Sequence, residues 1–199
     1  MGTRGMNVIV VNKEIKCAQY NQWDSYPSGQ GATALEFLRE QMNENFKEKV
    51  SACSWISSAE YKQLWVEAGA DPDSDFVSLD ISDKFKEQNL HLHRDCGAKI
   101  YGLIQDSDSG LKLENSIDFA GEAGLCEWVY VVDLDKNTFE IYNGDNSEIT
   151  NEDRFYFLID EARKEGGNCS PVKIVKSYSL DDLPTKEQFI QDLDPAQEE

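Results

Sequence analysis

The chain has 199 residues, of which 38 are acidic and 19 are basic, and its net charge at pH 7 is −19. This length fits one domain with a substantial hydrophobic core. The negative charge disfavours direct binding to nucleic acid or anionic membranes and favours basic partners, and nine Phe, eight Tyr and four Trp argue against general disorder.

The cysteines are widely spaced, odd in number and without a Cys-x-x-Cys pair. This pattern is not typical of a disulfide framework or a zinc ribbon. No apolar run approaches the length of about 20 residues that a membrane-spanning helix needs. We therefore expect reduced thiols and a cytoplasmic protein. The thiols belong to Cys17, Cys53, Cys96, Cys126 and Cys169.

The first predicted element is a β-hairpin. Apolar runs at Met6–Val11 and Ile15–Tyr20 predict two strands joined by a tight turn. Residues 21–31 are polar and aromatic, and their proline and two glycines predict a structured loop. From Ala32 to Val50, apolar residues recur at steps of three and four, which predicts one long amphipathic helix.

Helices are predicted through the middle of the chain. Ser57 and Glu60 have the spacing of a capping box, which opens a helix that buries Tyr61 and Trp65 on one face. Two further helices are predicted, at residues 82–88 and at about residues 94–104.

The second hairpin has the clearest pattern. Its first strand carries apolar residues on both faces, which is typical of a strand at the centre of a sheet. A helix capped by Thr150, a final strand and a helix opened by a capping box at Thr185 complete the prediction. The hairpin strands are Glu127–Leu134 and Thr138–Tyr142, and the last strand is residues 172–178.

Together these elements predict an α+β fold, with a mostly antiparallel sheet of about five strands and helices packed against it. We expect residues 1–193 to form a single domain and residues 194–199 to form a frayed acidic tail.

A polar block near the N-terminus is the first candidate site. The hairpin should bring the Thr3-Arg4 segment and the loop that follows Tyr20 to the same end of the sheet. An arginine there can bind a carboxylate or phosphate, and the start of the next helix offers backbone N–H groups that favour anions. In the competing interpretation the loop only caps the helix and Asp24 pairs with Arg4. The candidate ligand-binding residues are Arg4, Asn21, Trp23, Asp24, Ser25 and Tyr26.

Four stretches of the chain resemble a family of uncharacterised bacterial, phage and fungal proteins. They are MGTRG at residues 1–5, YNQWDSYPSG at 20–29, CEWVYVVDLD at 126–135 and SLDDLP at 179–184. The resemblance implies a shared fold. Because that family has no known activity, it implies no role for any residue.

The N-terminal block is also similar in kind to N-terminal-nucleophile amidases of the penicillin-acylase and bile-salt-hydrolase type. Those enzymes begin with a nucleophile on the first strand, and the resemblance implies Thr3 in that role. Such a nucleophile needs its own free α-amino group as the base, whereas removal of Met1 exposes Gly2 and leaves Thr3 internal.

Metal-binding patterns occur, but each is incomplete. The pattern His91-x-His93-x-Asp95 resembles the HxHxDH signature of metallo-β-lactamase-like hydrolases, but Cys96 stands where that pattern has histidine, and the chain has two histidines in all. Two Asp-rich loops have calcium-loop spacing and lack the required glycine and glutamate. We therefore predict no bound metal and no cofactor. The two loops are at residues 71–75 and 133–137.

The negative charge is concentrated in the second half of the chain. Residues 100–199 hold 23 acidic and 8 basic residues, against 15 and 11 in residues 1–99. We expect a non-catalytic interaction protein that binds a basic partner, such as an inhibitor or decoy of a nucleic-acid-binding protein. The alternative is an enzyme or small-ligand binder centred on the N-terminal block. The candidate partner-binding residues are Asp145, Glu148, Glu152 and Asp153.

Overall fold

A five-stranded sheet lies at the centre of the computed structural model, which describes residues 2–74, 76–144 and 149–193. A separate sheet has two short strands. In chain order the strands are β1 (Gly5–Val11), β2 (Glu14–Asn21), β3 (Ser54–Trp55), β4 (Lys112–Leu113), β5 (Trp128–Asp133), β6 (Thr138–Asn143) and β7 (Lys173–Ser179).

The central sheet has the strand order β2-β1-β5-β6-β7, and within it β1 and β5 pair in parallel while the other pairs are antiparallel. Met6 lies opposite Val129 and Val8 lies opposite Val131 in the parallel pair. All of β1 and nearly all of β5 are buried. The predicted α+β fold with a mostly antiparallel five-stranded sheet is confirmed, and so is the central position of β5.

Helices cover both faces of this sheet. In the described residues, none of them combines the length and the apolar character needed to cross a membrane. Short 3₁₀ turns lie at Leu90–Leu92, Gly97–Lys99 and Ile117–Gly121. The α-helices are α1 (Ala32–Glu36), α2 (Phe46–Ser51), α3 (Ser58–Ala68), α4 (Leu79–Gln88), α5 (Ile100–Asp106), α6 (Tyr156–Lys164) and α7 (Lys186–Leu193).

The two faces of the sheet contribute to two hydrophobic cores. Successive side chains of a strand point to opposite faces, so Tyr130 and Val132 enter one core while Val129 and Val131 enter the other. The main core contains residues of α1, α2, α5 and α7. The smaller core contains residues of the 3₁₀ turn at Ile117–Gly121 and of α6.

The prediction of one helix from Ala32 to Val50 is wrong, because the chain leaves the helix at Met42 and re-enters it at Phe46. The side chain of Asn43 accepts a hydrogen bond from the N–H of Asn45 at 3.0 Å. Asparagine favours this kind of local bond over a helical backbone, and it therefore ends helices. Helical turns of π type, Pro27–Gly31 and Phe37–Gln41, flank α1.

The capping box predicted at Ser57 is confirmed. Ser57 Oγ accepts a hydrogen bond from the N–H of Glu60 at 3.3 Å, and Glu60 accepts one from the N–H of Ser57 at 3.1 Å. Trp65 of α3 stacks on Phe85 of α4 with ring centroids 3.7 Å apart, so these two helices form a small cluster beside the main core.

The remaining predicted helices differ mainly in where they begin. Thr150 does not cap α6, which begins at Tyr156, because the N–H and hydroxyl of Thr150 both donate to Asp153 and close a turn. The helix predicted from about Arg94 begins with a 3₁₀ turn and becomes α-helical at Ile100. The acidic tail predicted at residues 194–199 lies outside the described residues.

A buried ion-pair network attaches the segment before α6 to the sheet. Arg154 donates from Nε and Nη2 to Glu140 at 2.8 Å and from Nη2 to Asp133 at 2.6 Å. The hydroxyl of Tyr142 donates to Glu140 at 2.7 Å, and the N–H of Lys136 donates to Asp133 at 2.9 Å. Asp133 therefore serves in this network and not as the first ligand of a calcium loop.

These contacts determine the ionisation of the network. Burial is the largest single influence and raises the pKa of Asp133 and Glu140, but the hydrogen bonds from Arg154, its positive charge and the hydrogen bonds from other donors together outweigh burial, so both pKa values fall below their usual range. A carboxylate whose pKa is lower in the folded state stabilises the fold above its unfolded pKa, about 3.9 for Asp and 4.3 for Glu. That contribution is lost as the pH falls through the folded pKa.

Arg154→Met should lower the free energy of unfolding at pH 7 by about 3–5 kcal/mol, because two buried carboxylates lose their counter-ion. In the variant, burial raises the pKa of both carboxylates, so they take up protons on folding. The difference from the wild type should therefore narrow between pH 7 and pH 5. Urea denaturation of the wild type and the variant at pH 7 and at pH 5 measures this difference in the free energy of unfolding.

Arg163→Met is the matched control. Arg163 forms a surface pair with Asp160 at 3.5 Å, and 65% of its side chain is exposed. Such a pair contributes about 0–1 kcal/mol. Equal losses in the two variants would contradict the role assigned to the Arg154 network.

Candidate functional site

The first hairpin brings the two parts of the N-terminal block together. Gly5 pairs with Asn21 at the end of the sheet. The N–H of Ser25 donates to the carbonyl of Thr3 at 3.1 Å. Thr3, Arg4 and the loop after β2 therefore lie at the same end of the sheet.

A buried polar network occupies the inner side of this block. Asn21 Nδ2 donates to Ser25 Oγ, and Asn7 Nδ2 donates to Asn21 Oδ1 at 3.3 Å. The hydroxyls of Tyr101 and Tyr130 donate to Asn7 Oδ1 at 3.2 Å and to the Ser25 carbonyl at 2.7 Å. Asn21 and Ser25 are 1% and 0% exposed. Their polar groups hold the loop in place instead of facing a ligand.

The backbone at the start of the next helix is also engaged. The N–H of Gln30 donates to the carbonyl of Asp24 at 2.8 Å, and the N–H of Gly29 donates to the carbonyl of Tyr26 at 3.0 Å. A Cβ on Gly29 would lie 2.2 Å from the Asp24 carbonyl oxygen, so close packing requires glycine here. The N–H groups predicted to bind an anion therefore bind the preceding loop.

The exposed part of the block is mainly aromatic. Trp23 and Tyr26 are 48% and 40% exposed. Asp24 accepts a hydrogen bond from the Tyr26 hydroxyl at 3.1 Å instead of pairing with Arg4, whose backbone N–H donates to Glu127 at 3.3 Å. Solvent therefore reaches an aromatic surface with one carboxylate.

A cavity of about 570 Å³ lies beside the C-terminal half of α6, and we call it the acidic groove. Buried Leu158 and Gly121 form part of its wall. Four exposed carboxylates and one ammonium line it, for a net charge of −3, and none of the four carboxylates pairs with a described residue. The charged residues are Asp118, Glu122, Glu161, Glu165 and Lys164.

The negative charge of the groove affects the pKa of a neighbouring thiol. Burial raises the pKa of the Cys169 thiol, and the carboxylates of Glu122 and Asp118 raise it further. The groove also lies at the C-terminal end of α6, where the helix dipole adds partial negative charge. A cation is therefore favoured in the groove.

The acidic groove differs from the predicted partner surface. Asp145 and Glu148 lie outside the described residues. Glu152 is exposed and Asp153 closes the turn with Thr150, both at the opposite end of α6 from the groove. Two of the missed residues do carry a signal in the sequence, because carboxylates spaced by four lie on one side of a helical segment. Glu161 and Glu165 have this spacing at the end of α6. Asp118 and Glu122 have it too, but they lie in a 3₁₀ turn and directly after it, where the α-helical rule does not apply.

His93 belongs to a cluster with Ser82 and Asp95. The N–H of Asp95 donates to His93 Nδ1 at 3.2 Å, so Nε2 carries the proton and donates to Ser82 Oγ at 3.3 Å. A serine nucleophile needs the opposite tautomer, with Nε2 free to accept its proton. Lys86 binds the Asp95 carboxylate at 2.7 Å. In this tautomer His93 cannot take a proton from Ser82, so Ser82 is not activated as a nucleophile. The Oδ1 atom of Asp95 is buried and has no hydrogen-bond partner among the described residues.

Comparison with protein-family models, curated proteins and solved structures found no match.

Tyr130→Phe should lower the free energy of unfolding by about 1–3 kcal/mol, because it leaves the buried carbonyl of Ser25 without its donor. Tyr20→Phe is the control, since the Tyr20 hydroxyl donates to Gln22 at 2.6 Å in a part-buried position where water can replace it. Urea denaturation compares the two. A larger loss for Tyr20→Phe would contradict the structural role of the buried network.

Zinc added in excess should leave the melting temperature unchanged, and elemental analysis of the purified protein should find far less than one zinc per chain. In the described residues no group of three or more His, Cys, Asp or Glu side chains is arranged to hold a metal ion. A stoichiometric zinc lost in His93→Ala would contradict this prediction.

Proposed function

We propose that the protein is a non-catalytic interaction protein whose acidic groove binds a basic segment of a partner protein. The observation that carries this proposal is the convergence of four unpaired, exposed carboxylates on one cavity with an apolar wall. A lysine or arginine of the partner places its aliphatic stem against Leu158 and Ala162 and its charge among the carboxylates.

The charge of the whole chain supports the same partner class. A net charge of −19 speeds encounter with a basic surface and repels nucleic acid and anionic membranes. A protein that binds nucleic acid presents such a surface, so an inhibitor or decoy of such a protein fits. All five thiols are free, which suits a reducing compartment, and our proposal places the protein in the cytoplasm.

The alternative, an enzyme or small-ligand binder at the N-terminal block, has less support. Asn21 and Ser25 are buried and bonded to each other. The Thr3 carbonyl accepts a bond from Ser25, and Gly2 packs so closely on Trp23 that a Cβ at Gly2 would overlap the ring. Exposed Trp23, Asp24 and Tyr26 and half-buried Arg4 are the candidate residues that remain available to a ligand there.

A fluorescein-labelled octalysine peptide tests the acidic groove by fluorescence anisotropy. The triple variant Glu122→Gln, Glu161→Gln, Glu165→Gln should bind it about tenfold more weakly, because three exposed ion pairs of about 0.2–1 kcal/mol each are lost. Binding to the wild type should disappear in 1 M salt, because the Debye length falls from about 10 Å at 0.1 M salt to about 3 Å at 1 M.

A second triple variant, Glu44→Gln, Glu48→Gln, Glu87→Gln, removes the same charge from exposed positions outside the groove. It should bind the peptide nearly as the wild type does. Equal weakening of both variants would assign binding to net charge alone and contradict the role of the groove. No binding by the wild type at low salt would contradict the proposed function itself.

A further inference from the structure

An apolar groove of about 570 Å³ lies between α3, the sheet of β3 and β4, and the 3₁₀ turn that ends at Leu92. Its apolar walls are Ile56, Ala59, Leu64 and Leu92. From these walls and their rim the geometry points to a second binding site, for an uncharged, mainly apolar small molecule with one hydrogen-bonding group. The residues of this site are separate from those of the acidic groove.

The walls follow from how α3 packs. Trp65 stacks on Phe85, so one side of α3 is covered by α4. Ala59 and Gln63 share a different face of α3, because residues four apart lie on one face of a helix, and Leu64 lies at the border of that face. Ala59 is exposed and Leu64 is half-buried, so this face still contacts water.

The volume suits a small ligand. Ligand-binding clefts in proteins hold about 300–1,000 Å³ and are lined mainly by apolar side chains. The apolar groove, at about 570 Å³, lies within that range. A ligand that covers its walls gains about 25 cal/mol for each Å² of apolar surface removed from water.

The rim of the groove carries no net charge, which selects an uncharged ligand. Lys112 forms a close ion pair with Glu60, whose carboxylate also accepts the N–H of Ser57 at 3.1 Å. The hydrogen bond from Lys112 is the main reason that the pKa of Glu60 is lowered to about 2. The Glu60 carboxylate is therefore ionised at neutral pH, and the ammonium of Lys112 offsets its charge.

His91 supplies the polar contact. Its ring lines the groove, is half-buried, and makes no hydrogen bond to any residue in the described part of the chain. Burial lowers the pKa of His91, so the ring is neutral at pH 7 and offers one donor and one acceptor. One hydrogen-bonding group on the ligand pairs with one of these two nitrogens.

N-phenyl-1-naphthylamine, an uncharged aromatic probe with a single N–H group, tests this site. Titration of the wild type should give a saturable rise in probe emission with one site per chain. Ala59→Trp fills the groove from an exposed position and should weaken binding at least tenfold. Lys62→Trp adds the same side chain at an exposed position of α3 outside the groove and should bind as the wild type does.

His91→Phe separates the polar contact from the apolar walls. The substitution should weaken the binding of N-phenyl-1-naphthylamine about 2- to 12-fold, which corresponds to the loss of one hydrogen bond of about 0.5–1.5 kcal/mol. Pyrene, which has no hydrogen-bonding group, should bind this variant and the wild type equally. Circular dichroism and thermal unfolding of each variant show that the fold is retained.

Three outcomes overturn the proposal: no saturable binding by the wild type, equal binding by the wild type and Ala59→Trp, or equal weakening by Lys62→Trp. A fourth such outcome comes from analytical ultracentrifugation, which measures the oligomeric state of the wild type and of Ala59→Trp. A wild-type dimer that dissociates in Ala59→Trp would show that a second copy of the chain occupies the groove.

Discussion

The parallel pairing of β1 with β5 joins two hairpins that are distant in the chain into one sheet, and both strands are buried on both faces. Parallel strands cannot be joined by a tight turn and need a long crossover. In this protein the crossover carries α1 to α5, several of which complete the main core. It also forms the whole apolar groove and one wall of the acidic groove, so both candidate sites depend on this pairing.

The local elements of the fold could be predicted because their causes lie within a few residues. Apolar runs bounded by turn residues indicated the strands of the central sheet, and Ser57 and Glu60 indicated the start of α3. The break at Asn43 was missed because the apolar pattern continues across it while one side chain bonds the backbone. The parallel pair was missed because it relates segments that no local pattern connects.

The candidate sites also divide into features with local causes, which could be predicted, and features that join distant segments, which could not. The predicted hairpin correctly indicated that Thr3 and Asn21 lie at one end of the sheet. The hydrogen bonds of this block also involve Tyr101 and Tyr130, which belong to other elements and could not be predicted to lie there. Both grooves join residues from separate parts of the chain, so their walls could not be read from sequence. Likewise, no local pattern in the sequence indicates that Arg154 pairs with Glu140 and Asp133 and buries both carboxylates.

The position of β1 also bears on synthesis of the chain. Arg4 and Glu127 are in contact although 123 residues separate them. At about 5–20 residues per second, a ribosome needs roughly 6–25 s to make that interval. Throughout it the apolar edge of β1 has no β5 to pair with, and an open strand edge readily pairs with other chains. Yield of the folded protein in a cell therefore depends on whatever shields β1 until β5 leaves the ribosome.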